Sequence, residues 1–141
     1  MESRTALISI HPEYARRILA GDKKFEFRRR WTSRPVDTLF IYATAPVQRI
    51  VGFATIARVT YGTPTQLWRL TQQPNAGISK SKLFAYLGSA RTGVAIELSK
   101  VTPMPSGIDP RLCLGQGFRP PQSFKYLNEN EVSKINVSRK K

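Results

Sequence analysis

The chain has 141 residues, a single-domain length, and 40% of them are hydrophobic, enough for a packed core without covalent staples. Its 23 Lys and Arg against 9 Asp and Glu give a formal charge of +14, which points to a polyanionic partner, phosphate first and an anionic membrane surface second. One cysteine and one histidine exclude an internal disulfide, a Cys-rich zinc centre and any two-histidine mechanism, and no apolar run reaches the roughly 18 residues that span a bilayer.

Residues 6–10 (ALISI) are short, apolar and β-branched, and predict a buried strand. His11-Pro12 ends it. Pro12 suits a first helical turn, Glu13 sits at the positive helix end, and Gly21 supplies a left-handed cap. A helix is therefore expected over 12–20, with Tyr14, Ile18 and Leu19 on one stripe and His11 as a structural cap. Residues 24–28 alternate, placing Phe25 and Phe27 on one face and Lys24, Glu26 and Arg28 on the other. Strands are expected again over 38–43 and over 49–61, the latter bulged at Gly52. Thr63-Pro64 opens a short helix to residue 70, and Ser79 caps a second one ended by Gly88.

A strand over 93–100 follows. Pro103, Pro105, Gly107 and Pro110 then predict a loop, residues 115–121 another turn, and residues 124–127 a closing strand or helical turn. A flexible basic tail is expected from about residue 136. The whole reads as one domain over 1–141. The fold class is α+β, mainly β: a small β-barrel with two or three short peripheral helices. A polar N-terminus and a lone thiol lead us to expect a cytoplasmic protein.

The densest chemistry lies between Gly21 and Trp31. Lys23 stands at the turn, from which it can swing toward the Lys24, Glu26 and Arg28 row. A carboxylate between cations is held in its charged form, so Glu26 suits hydrogen-bond acceptance or metal ligation better than general acid catalysis. The competing reading is a strand face in water. Arg28-Arg29-Arg30 beside Trp31 pairs backbone charge with a ring for stacking a base, against the alternative of a core-rim tryptophan covered by arginine stems. Tyr42 is expected at the border of the same cleft, and Lys80 and Lys82 on its electropositive face.

Gly21, Lys23, Glu26 and Arg28 stand in the spacing G-x-K-x-x-E-x-R, behind a strand and the run His11-Pro12-Glu13-Tyr14. With this pattern the chain resembles the ASCH domain, a family of PUA-like β-barrels, over about residues 6–127. The resemblance implies a cleft beside the helices, lined by the motif, that holds RNA or a nucleotide, with no cofactor. Two activities occur in the family. Hydrolysis of N4-acetylcytidine uses a Lys, Thr and Glu set, of which Lys23 supplies the lysine; Glu26 stands at the threonine position and residues 77–81 hold no glutamate. The other is metal-dependent RNA cleavage.

The expected function is therefore RNA binding, RNA before DNA and no membrane, with a ribonuclease or a nucleoside or modified-base hydrolase as the alternative. The expected ligand-binding residues are Lys23, Lys24, Glu26, Arg28, Arg29, Arg30, Trp31, Tyr42, Lys80 and Lys82, with Lys23 and Glu26 catalytic if the protein is an enzyme and a divalent metal only if it is a nuclease.

Overall fold

The computed structural model describes residues 4–71, 76–88 and 91–139. In chain order the elements are β1 (Thr5–Ile10), α1 (Pro12–Ala20), β2 (Phe25–Arg28), β3 (Thr38–Ala43), β4 (Arg49–Gly62), α2 (Pro64–Thr71), α3 (Lys80–Leu87), β5 (Gly93–Ile108), α4 (Pro110–Leu114), β6 (Phe124–Leu127) and α5 (Glu129–Arg139). The strands make one sheet in the order β2-β5-β4-β3-β1-β6. β1 runs parallel to β3, and the other neighbours are antiparallel.

β1 is buried on both faces, which is why its sequence is a continuous apolar run rather than an alternating one. Ala6, Ile8 and Ile10 pack with Leu39 and Ile41 of β3 and with Ala15 and Ile18 of α1. Leu7 faces the opposite way, with Phe40, Tyr42, Cys113 and Ile135. A third cluster joins Phe27 and Ala95 to Leu67, Leu83 and Leu87 of α2 and α3. The Gly52 bulge is real, since the β4–β5 register shifts between Ile50 and Gly52. A Cβ at Gly52 would lie 2.5 Å from Leu19 Cδ2 and 2.7 Å from the Thr102 carbonyl oxygen, so glycine lets α1 seat its Leu19 there.

β2 and β6 lie at opposite ends of the strand order, yet side chains join them. Arg28 Nη2 donates to the Ser9 carbonyl and Nη1 reaches Ser123 Oγ at 3.4 Å. The Trp31 and Phe124 rings are 4.7 Å apart, and the Thr32 hydroxyl bonds that of Tyr126. The sheet is thus curled into a half-barrel whose two edges meet through side chains, mainly β with helices around it, as the composition and pattern predict.

Three expectations are corrected. The proline-marked loop after residue 100 is the second half of β5, which continues to Ile108. Prolines fit because β2 pairs only with Val94–Glu97 and Leu98 N–H bonds the Lys24 carbonyl; beyond that point no strand needs the β5 donors on that side. The described residues hold five helices rather than two or three. The tail expected from about residue 136 is helical through Arg139: Ile135 is fully buried and the Arg139 guanidinium lies 4.7 Å from the Phe53 ring centroid. Lys140 and Lys141 lie outside the described residues.

A reciprocal capping box starts α5. Asn128 Oδ1 accepts from Glu131 N–H and Glu131 Oε1 accepts from Asn128 N–H. Asn128→Ala is expected to lower unfolding stability by about 1 kcal/mol, read by urea denaturation.

Candidate functional site

A cavity of about 410 Å³ opens between the start of α1, β2 and α3. Its lining includes Ser9, His11, Tyr14, Lys23, Glu26, Phe27, Arg28, Ile78, Lys82 and Tyr86. The local sequence explains the placement. Gly21 adopts φ +86°, closes α1 with N–H bonds to Arg17 and Ile18 carbonyls, and turns the chain so that Lys23 points back under the helix.

Lys23 is 2% exposed. Its ammonium donates to the Phe25 carbonyl and, at 3.3 Å, to the Ala76 carbonyl. It also sits 4.9 Å from the Phe27 ring centroid and 5.3 Å from that of Tyr14. Burial pulls its pKa down to about 8, against Glu26, which holds it up; Arg17 and Arg28 add to the lowering. Glu26 Oε1 lies 3.9 Å from the Lys23 ammonium, and Glu26 Oε2 accepts from Arg28 Nε at 3.0 Å and lies 2.9 Å from Nη2 as an ion pair. The floor is therefore a buried cation–carboxylate–cation row.

Gly77 makes room for it. Its φ is +70°, and a Cβ there would lie 2.3 Å from Lys23 Cγ and 2.4 Å from Lys23 Cβ, the stem of the side chain rather than its mobile end. Its carbonyl also accepts from Arg17 Nη1 at 2.9 Å. Gly77→Ala is expected to cost about 3 kcal/mol of stability and to displace Lys23, read as a lowered Tm with changed amide shifts along β2.

Of the residues expected at the site, Lys23, Glu26, Arg28 and Lys82 line the cavity. Arg29 stands at its rim, its Nε donating to the Tyr86 carbonyl at 2.8 Å and its guanidinium 4.7 Å from the Tyr86 ring centroid. The others lie elsewhere. Lys24 precedes β2, is exposed, and does not line the cavity. Arg30 is exposed and outside the lining, and Lys80 packs its ammonium over Phe84 instead. Trp31 takes the core-rim position against Phe124. Tyr42 is 2% exposed in the opposite core beside Phe118, where burial pushes its hydroxyl pKa up.

Sequence reasoning missed Ser9, Tyr14, Ile78 and Tyr86 as lining, and favoured a structural role for His11 over contact with a ligand. His11 Nδ1 does accept the Glu13 N–H at 3.2 Å, and the same ring borders the cavity. The signal for Tyr14 was present: one turn into α1, beside His11, it was assigned to the apolar stripe. Among the described residues, no three His, Cys, Asp or Glu gather as a metal-ligand set. No helix among them is long and apolar enough to cross a membrane.

Residues 8–103 match the ASCH domain. An ASCH domain-containing ribonuclease of Zymomonas mobilis is 31% identical over 136 residues, spanning 95% of this chain and 91% of its own. The crystal structure of ASCH from Zymomonas mobilis superposes with a TM-score of 0.86 at 30% identity, over 95% of this chain and 94% of that one. A mutant form of ZmASCH gives 0.86 at 29% identity, over 97% and 98%. The G-x-K-x-x-E-x-R residues, the curled sheet that carries them and these matches agree, and the chain belongs to the ASCH domain family.

Proposed function

We propose that this chain binds single-stranded RNA, seats one unstacked base in the cavity between α1, β2 and α3, and cuts the strand beside it. The observation that carries this reading is the division of charge in the cavity. The floor spends most of its cationic donors inside the protein, Arg28 on Glu26 and the Ser9 carbonyl and Lys23 on the Phe25 and Ala76 carbonyls, so a phosphate is not favoured there. Tyr14, Phe27 and Tyr86 give flat aromatic surfaces for a base. Lys82 lies in the lining and Arg29 at the rim, where they would meet the backbone phosphates. The net charge of +14 favours the same partner.

The ribonuclease name of the Zymomonas relative favours cleavage over binding alone. The simplest step is attack of the ribose 2′-hydroxyl on the adjoining phosphorus. The O2′–P bond forms, the P–O5′ bond breaks, the hydroxyl proton passes to a base, and the departing 5′-oxygen takes up a proton. His11 is our candidate for assisting that step as a donor: with its Nδ1 accepting the Glu13 N–H, its Nε2 is the N–H end of the ring and can hydrogen-bond the departing 5′-oxygen, while water takes the hydroxyl proton. This route needs no metal.

Labelled single-stranded RNA is expected to be retarded in gels, with affinity falling steeply as salt rises, and to be shortened with or without EDTA. Duplex RNA and DNA are expected to bind more weakly. His11→Asn keeps an N-cap acceptor while removing the imidazole, and is expected to bind RNA normally but cut it about 100-fold more slowly. No affinity at low salt overturns the binding reading, and intact RNA in every lane overturns cleavage.

A further inference from the structure

The two oxygens of Glu26 are not equivalent. Oε2 accepts from Arg28 Nε and lies 2.9 Å from Nη2 as an ion pair. Among the described residues no hydrogen bond reaches Oε1; the closest donor is the Lys23 ammonium, at 3.9 Å. The side chain is only 9% exposed, and the residue lines the cavity. Oε1 is not sealed from solvent: it opens onto the cavity, where a ligand donor can take the place of water. Lys23, for its part, gives two of its three N–H groups to the Phe25 and Ala76 carbonyls and keeps one. The floor thus offers an acceptor beside a donor.

We infer that the cavity selects a base with an exocyclic amine beside an unprotonated ring nitrogen, cytosine or adenine, with Glu26 Oε1 accepting from the amine and Lys23 donating to the ring nitrogen. This rests on the RNA reading above and adds a base preference to it. Cytosine and adenine present donor and acceptor in the complementary order. Uracil presents its one ring N–H between two carbonyls; if that N–H meets Oε1, one carbonyl faces Lys23 and the other is pressed on the carboxylate. Guanine presents two adjacent donors, which a carboxylate meets best with both oxygens, and Arg28 already occupies Oε2. A phosphate at this floor would have to displace Arg28 from Glu26.

Titration calorimetry of the full chain with CMP, AMP, UMP and N4,N4-dimethyl-CMP tests the inference. CMP, AMP or both are expected to bind at least about tenfold more tightly than UMP, and dimethylation is expected to weaken CMP by about tenfold or more. The CMP and AMP arms separate the two bases. Glu26→Gln, whose amide can donate as well as accept, is expected to erase the preference over UMP. The wild-type arms decide the matter even where that variant folds poorly. UMP binding as tightly as both others, or N4,N4-dimethyl-CMP binding as tightly as a favoured CMP, overturns the inference, as does no binding of any monophosphate at millimolar concentration. Ranked monophosphates with unbound RNA would sink the RNA reading alone; bound RNA with unranked monophosphates would sink the base preference alone.

Discussion

Lys23→Met is expected to weaken single-stranded RNA binding at least about tenfold, and to slow cleavage with it, while the protein stays folded at pH 7. The floor loses its one spare donor and half of the charge that balances Glu26. Folding is spared because the wild-type ammonium is itself expensive to bury, which is the reason its pKa falls to about 8 from 10.5. That cost gives a second readout. Below about pH 8 Lys23 is charged in both the folded and the unfolded chain. Between about 8 and 10.5 the folded protein has released the proton and the unfolded chain still holds it, so the unfolded state binds more protons there. Stability contributed by this group therefore rises with pH across that window, by about 3 kcal/mol in full. The difference between wild type and Lys23→Met, measured by urea denaturation at pH 7 and pH 10, isolates it from other titrating groups. A constant difference at both pH values would mean that the ammonium is not desolvated.

Arg28→Met is expected to have the larger effect on folding, a loss of about 3–5 kcal/mol. Arg28 supplies the Nε donor and the ion pair to Glu26 Oε2, and the same guanidinium ties β2 to the Ser9 carbonyl and to Ser123. Removing it leaves a buried carboxylate facing only the Lys23 ammonium at 3.9 Å, and unfastens the two edges of the sheet. The double variant Glu26→Gln, Arg28→Met is expected to recover part of the loss, because the uncompensated charge goes with the carboxylate. If the double variant is less stable than Arg28→Met alone, the cost lies in the lost bonds to Ser9 and Ser123 rather than in Glu26.

Much of this fold was legible from local chemistry. The cap residues of α1 and α3, the Gly21 turn and the Gly52 bulge each carry a physical signature that does not depend on distant residues. The motif was legible for the same reason: Glu26 and Arg28, two apart on a strand, share a face whatever surrounds them. What was not legible depends on neighbours. β3 is apolar on both faces, so period two cannot tell which face Tyr42 takes, and it took the one away from the cavity. Pro103 and Pro105 stop a strand only where both edges are paired, and β2 is too short to pair them. The start of α5 carried a readable capping pair in Asn128 and Glu131, but the basic residues beyond it drew attention to charge instead of to Ile135, the buried residue that holds the helix down.

The Arg28 clamp also bears on when the half-barrel can close during synthesis. It gathers residues 9, 28 and 123 at one point, a span of most of the chain. During synthesis the chain emerges from its N-terminus, and the G-x-K-x-x-E-x-R segment is out long before Ser123 exists. A nascent chain, or one truncated ahead of Ser123, therefore carries the whole motif before the β6 edge exists for the Arg28 clamp to fasten.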